Sequence, residues 1–128
     1  MYSIESYINE LISRVKTASD VERKSISVDG WQPIEHRCHD NVARLCELDS
    51  AYKHVYGFLF SNTSELGFVS FIFHSVVKDS NGNLIDITPT TAREKYSFLA
   101  SGLPDEAYEE LMYMYENEGQ IPVPLANT

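Results

Sequence analysis

The stretch FIFHSVVKDSNGNLIDITP, from Phe71 to Pro89, decides the architecture of this chain. Aromatic and β-branched residues fill 67–77 and return at 83–88, and the polar residues Asp79, Ser80, Asn81 and Gly82 separate the two runs, so the stretch reads as two antiparallel strands joined by a tight turn. Two polar residues interrupt it. His74 lies in an apolar strand, where an imidazole needs a hydrogen-bonding reason to be buried, and Asp86 interrupts LIDIT on the partner strand. The loop decides whether they meet. A two-residue Asn81-Gly82 turn sets Val77 opposite Asp86 and sends His74 and Asp86 to opposite faces. A three-residue loop with Gly82 in the left-handed region pairs Asp79 with Asn83, Val76 with Asp86 and His74 with Thr88, which puts both side chains on one face. The residues suit either loop. A partnership of His74 with Asp86 requires the second, and with it a positive φ at Gly82.

Outward from this hairpin, HVYGFLF (54–60) has the composition of a third strand. Ile4, Tyr7, Ile8, Leu11, Ile12 and Val15 recur at helical spacing behind Ser3, predicting an amphipathic helix over 3–18. A second helix is expected to begin near Cys38, with Val42, Leu45 and Cys46 on its apolar side. Pro104 suits the first turn of a last helix carrying Tyr108, Leu111, Met112 and Tyr115, which Gly119 ends. Thr91-Ala92-Arg93-Glu94 has the capping-box pattern, 19–30 reads as a turn or mobile loop, and IPVPLANT reads as an extended terminus. The expected fold is α+β, a small antiparallel β-sheet packed against helices, in a single domain over 1–128.

The 128 residues are 43% hydrophobic and 23% charged, proportions of an ordinary globular chain. A net charge of −9 argues against nucleic acid as a partner, because phosphate binding rests on clustered Lys and Arg; an acidic surface can instead complement a basic protein. No apolar run approaches membrane-spanning length and the first residues do not form a secretory signal, so a cytoplasmic protein without a membrane partner is expected. Cys38 and Cys46, on one helix, would stand roughly 12 Å apart, too far for a disulfide. Both are expected to be free thiols.

Cys38 falls at the start of the second helix, where unpaired N–H groups and the positive end of the dipole favour thiolate. Cys46, two turns deeper, reads as a buried small hydrophobe. A thiol nucleophile needs a base, which His74 supplies, and Asp86 can hold that imidazole in the needed tautomer. Asn41, one turn after Cys38, is expected to support this turn. His36, Cys38 and His39 are metal-type ligands, but neighbours on a helix diverge by about 100° and no second Cys pair exists, so neither metal nor cofactor is expected. His54 reads as a strand-edge residue.

A helix opening with cysteine, then a strand bearing histidine and a following strand bearing aspartate, with HSVVKDSNGNLIDITP (74–89), resembles the papain-like and transglutaminase-like cysteine enzymes. The order Cys, His, Asp is the same. The resemblance covers roughly residues 30–90. It implies a papain/transglutaminase-like core with the nucleophile at a helix N-terminus, and catalytic residues Cys38, His74 and Asp86. It also implies an oxyanion-hole role for Gln32, six residues before Cys38, with Trp31 and His39 as supporting neighbours. The chain departs from papain in carrying Cys38-His39 where Cys-Trp is familiar, and in its shorter length. The implied function is thioester chemistry on a protein, peptide or small amide: hydrolysis, acyl transfer or deamidation. The competing expectation is a non-catalytic binding module, an inhibitor or adaptor with an acidic docking surface.

Overall fold

The computed structural model describes residues 3–18, 20–61, 68–90 and 97–124. The capping-box residues Thr91–Glu94 lie outside the described residues. Three helices, α1 (Ile4–Arg14), α2 (Cys38–Leu48) and α3 (Asp105–Met114), accompany six strands. The strands are β1 (Glu22–Arg23), β2 (Lys53–Ser61), β3 (Phe68–Lys78), β4 (Leu84–Asp86), β5 (Ser97–Ala100) and β6 (Gln120–Pro124). The fold is α+β, as its sequence predicts. A helix spans the expected start of the chain, with Ser3 accepting the Ser6 N–H as its N-cap, and a 3₁₀ turn at Val15–Thr17 completes it.

The sheet runs β1-β4-β3-β2-β5, with β6 also on β3. It is not wholly antiparallel. β1 pairs parallel to β4, and it arises within 19–30, read from sequence as a loop. Alternation along β2 and β3 separates two faces. On one, Phe58, Phe71 and Phe73 pack with Tyr7 and Leu11 of α1 and with Tyr108 and Leu111 of α3. Further along, Val77, Ile85 and Ile87 pack with Val42 and Leu45 of α2. Burying these side chains contributes on the order of 2 kcal/mol each. His74 and Gly57, directly paired across β3 and β2, belong to the opposite face.

The edge of β3 away from β2 is shared by two strands. β4 pairs with it along Val77–Lys78 and β6 along Phe68–Ile72, which leaves a break in the ladder around His74, Ser75 and Val76. This break positions the site.

The β3–β4 turn is the three-residue loop. Asp79 donates its N–H to the Asn83 carbonyl (2.9 Å), Gly82 donates to Asp79 (3.0 Å), and Gly82 has φ +84°. Val77 pairs with Ile85 and Lys78 with Leu84, and the same register carried one step further sets Val76 opposite Asp86. The Asp79 carboxylate accepts the Asn81 and Asn83 N–H groups, both at 2.9 Å, fixing the loop as an Asx turn. No atom lies within 4 Å of a Cβ built on Gly82, so Gly82→Val would suffer backbone strain alone. A destabilisation of about 1–2 kcal/mol in urea unfolding is expected, and a variant as stable as the parent would refute the requirement for glycine there.

Among the described residues no helix is long and apolar enough to cross a membrane.

Candidate active site

Residues 34–37 form a turn before α2, with Arg37 donating to the Ile34 carbonyl and His36 at φ +66°. Asn41 fastens it. Its side chain accepts the Ile34 N–H (2.9 Å) and donates to the Ile34 carbonyl (2.8 Å) and to Thr88 Oγ1 (3.1 Å). The supporting role read for Asn41 is therefore specific: it ties the entry of α2 to the chain just beyond β4. Arg37, at the N-cap, provides no side-chain cap, so the first-turn N–H groups beside Cys38 keep their positive character.

Cys38 is the first residue of α2 and reaches the break in the β3 edge. A cavity of about 160 Å³ there has Cys38, His74, Asp86 and Thr88 in its walls, together with Arg23, His36 and Leu59. Cys38 and His39 also line a shallow groove with Glu35 and Met112. The sulfur thus stands between two depressions.

His74 Nε2 and Asp86 Oδ2 are 2.8 Å apart, and Asp86 Oδ1 accepts the Thr88 N–H at 3.1 Å. Both groups are largely shielded, with side-chain exposures of 12% and 9%, so the bond is weakly screened by water. Because Nε2 is taken by Asp86, Nδ1 is the nitrogen left for Cys38. Burial pushes His74 down, but its hydrogen bonds with Asp86 and Cys38, and the charges of both, lift it to about 9. Burial pushes the Cys38 thiol up; hydrogen bonding with His39 and His74 and the charge on each ring outweigh it, bringing the thiol down to about 6. At neutral pH the two shifts favour thiolate and imidazolium together. Cys46 is half-buried rather than fully buried, and burial raises its pKa.

A second polar cluster lies beside Cys38. His39 Nδ1 is 2.6 Å from Ser75 Oγ, and His54 Nε2 is 2.8 Å from the same oxygen. Ser75 is fully buried and follows His74 on β3, so it projects from the opposite face. α2 meets both neighbours because it sits at the ladder break. His54, expected as a strand-edge residue, stacks on Tyr56 with ring centroids 3.9 Å apart. Burial, reinforced by the charge of His39, lowers it to about 4 against the opposing pull of Asp105. Sequence reasoning missed Ser75 and the partnership of His54; the signal was two more polar residues, His54 and Ser75, near the ends of apolar strands.

Gln32 and Trp31 are not among the residues lining the two depressions at Cys38. Gln32 is exposed, and Trp31 packs against the core cluster beneath α2, in a β-bridge with Val28. The turn at 34–37 lies between Gln32 and Cys38 in the chain. Among the described residues no three His, Cys, Asp or Glu side chains are grouped as a metal ion would need.

No protein-family model, curated protein or solved structure matches the chain.

Proposed function

We propose that the protein is a cysteine-dependent amide or acyl enzyme with a papain-like or transglutaminase-like core. The observation that carries this reading is the line Cys38, His74, Asp86, in which a lowered thiol and a raised imidazole meet at the start of a helix. Cys38 Sγ attacks the carbonyl carbon of an amide, and the tetrahedral oxyanion is held by first-turn N–H groups of α2, among them that of Cys38. His74 Nδ1–H then protonates the departing amine, leaving a thioester on Cys38. Water or an acceptor amine attacks that thioester, His74 takes its proton, and the thiolate is regenerated. Asp86 keeps the ring oriented and its charge balanced throughout. The acyl donor is a protein, a peptide or a small amide.

The first test is mass-resolved alkylation with iodoacetamide across a range of pH. At pH 6, about half of Cys38 is thiolate if its pKa is about 6. A thiol raised above the ordinary 9.0, as Cys46 is, is ionised there to less than about one part in a thousand. The lower-pKa thiolate is intrinsically less nucleophilic, by roughly 20-fold between 9 and 6, so Cys38 is expected to label at least roughly 20-fold faster than Cys46. Equal and sluggish labelling of both would favour the non-catalytic binding module. A reactive Cys38 should also form a covalent adduct with an amide-mimicking electrophile, and Cys38→Ser should not.

A further inference from the structure

We propose that Arg23, with Lys24 beside it, sets the specificity of the site by receiving a carboxylate that the substrate carries on a short aliphatic stem, so that the preferred amides are anionic. The proposal rests on reading Cys38 as the reactive thiol, and it deepens that reading by naming the substrate class.

The placement follows from the parallel pairing of β1. Partners in a parallel ladder project from the same face, and Arg23 pairs with Asp86, so Arg23 belongs to the face on which Asp86 meets His74. The Lys24 N–H donates to the Asp86 carbonyl at 3.1 Å and fixes the end of β1 there. Arg23 lines the cavity of about 160 Å³ at Cys38 and also a second cavity of about 210 Å³, which Lys24 and Ser25 enter. Asp86, Thr88 and Pro89 line both as well, so the two adjoin. Each is smaller than the roughly 300 Å³ of an ordinary small-molecule site, which suits one side chain or a short acyl group. Leu59 and Pro89 give the inner cavity apolar walls for the stem, and Arg23 stands at its junction with the outer one.

Charge selects the occupant. The chain has a net charge of −9, and among the described residues Arg14, Arg37 and Arg44 each pair with a carboxylate three or four places away in sequence. Among the same residues Arg23 and Lys24 form no ion pair. Asp86 does not serve them, because Oδ2 is engaged by His74 at 2.8 Å and Oδ1 by the Thr88 N–H at 3.1 Å. Of the other titratable groups in these walls, Cys38 and His74 are neutral as a pair in their thiolate and imidazolium forms. His36 lies 3.5 Å from Glu35, which opens on the groove and on neither cavity. The balance in the walls is therefore positive. The groove on the other side of the sulfur differs: it carries Glu35 and Asp40 with His36 and His39, and its Arg37 is held by Asp40 at 3.6 Å. A carboxylate is thus directed to the Arg23 side, where the planar guanidinium fork matches its two oxygens. Thr88 Oγ1, which accepts the Asn41 amide at 3.1 Å, adds an O–H donor to the same walls.

Three isosteric chloroacetamides test this in the full chain: those of glutamic acid α-amide, of glutamine and of glutamine α-amide, which carry a side-chain carboxylate, a terminal carboxylate and no charge. At low salt near neutral pH, one or both anionic probes should alkylate Cys38 about tenfold faster than the neutral probe, the scale of one charge-assisted hydrogen bond. The faster of the two shows whether the carboxylate belongs to an acidic side chain or to a chain terminus. Arg23→Gln should bring the anionic rate down to the neutral one, Arg23→Lys should keep part of the preference, and salt at about 0.5 M should weaken it. Comparing probes within one variant cancels any effect of the lost charge on the thiol itself. Arg23 is exposed on a two-residue strand, so its replacement leaves the core untouched. Equal rates in the parent, or a preference that survives Arg23→Gln, would overturn the proposal. If Cys38 is sluggish toward all three probes, binding of the unreactive acetyl-glutamic acid α-amide and acetyl-glutamine, read in backbone amide NMR spectra, decides. Shifts clustered at Arg23, Lys24 and Thr88 that vanish in Arg23→Gln support the cavity, and their absence overturns it. The two readings fail separately. An Arg23-dependent preference without turnover of any anionic amide removes the enzyme and spares the cavity, whereas turnover of neutral amides as fast as anionic ones removes the role of Arg23 and spares the triad.

Discussion

Cys38→Ala is expected to lower amide turnover by roughly 10⁴-fold or more, because it removes the atom that forms the thioester and leaves only binding and oxyanion stabilisation. His74→Gln should cost roughly 10³-fold, the scale of a lost general acid and base. Glutamine is the better replacement for stability, since its amide can still donate to Asp86. His74→Ala would instead strand a carboxylate only 9% exposed without its cationic partner, which destabilises the fold by several kcal/mol and confuses loss of chemistry with loss of structure. Asp86→Asn should be milder than either, because it orients the ring but does not touch the reacting carbon. The parental pH profile should be a bell. Below about 6 the thiol regains its proton, and above about 9 His74 loses the proton it must give to the leaving group, so both limbs fall. A Cys38→Ala variant that retains turnover would end the thioester mechanism, and an intact melting temperature is needed for either loss to count.

Much of this site could be read from sequence because its decisive step is local. Ser80-Asn81-Gly82 and the two β-rich runs confine the hairpin to two registers, and only the three-residue loop puts His74 and Asp86 on one face. The helix start at Cys38 is also local, announced by the return of helical period after Pro33. What was not legible depends on distant parts of the chain meeting. β6 contains Pro122 and Pro124, which argue against a strand; among the described residues it pairs with β3 alone, an edge position where proline is tolerated. β1 is two exposed residues long and acquires its state from the edge of β4. His39 looked divergent from Cys38 because neighbouring helical residues point about 100° apart. The structure uses that divergence: at the break between β4 and β6, one ring reaches Ser75 while the sulfur serves His74. No periodicity within α2 contains the position of that break.

Gly57→Ala should be the most damaging conservative change in the sheet, and its sign is informative. Glycine inside a strand ordinarily weakens it, so a change to alanine stabilises by about 0.5–1 kcal/mol where space allows. Here a Cβ would lie 2.4 Å from the Leu99 carbonyl oxygen and 2.5 Å from Phe98 Cζ. The first is backbone, held in the β2–β5 ladder, where Gly57 pairs with Ala100 and Phe58 with Leu99. The second belongs to a ring 3% exposed, which has no route to solvent without opening the sheet. Overpacking of this kind costs about 1–3 kcal/mol and sometimes more, so it exceeds the propensity gain, and a net loss near 2–3 kcal/mol is expected. In a chain of this size that corresponds to a fall in Tm of roughly 10 °C. The effect should reach the site as well. Gly57 is the direct partner of His74, the Phe98 ring lies 6.4 Å from that imidazole, and the Gly57 carbonyl accepts the Tyr108 hydroxyl at 2.7 Å. Shifting β5 or tilting Phe98 displaces His74 from the line between Cys38 and Asp86, so Cys38 alkylation near pH 6 should slow even in the fraction that remains folded. A Gly57→Ala protein of equal or greater stability in urea would mean that the strands relax around the added methyl, and that the close packing of Phe98 over Gly57 does not hold the imidazole in place.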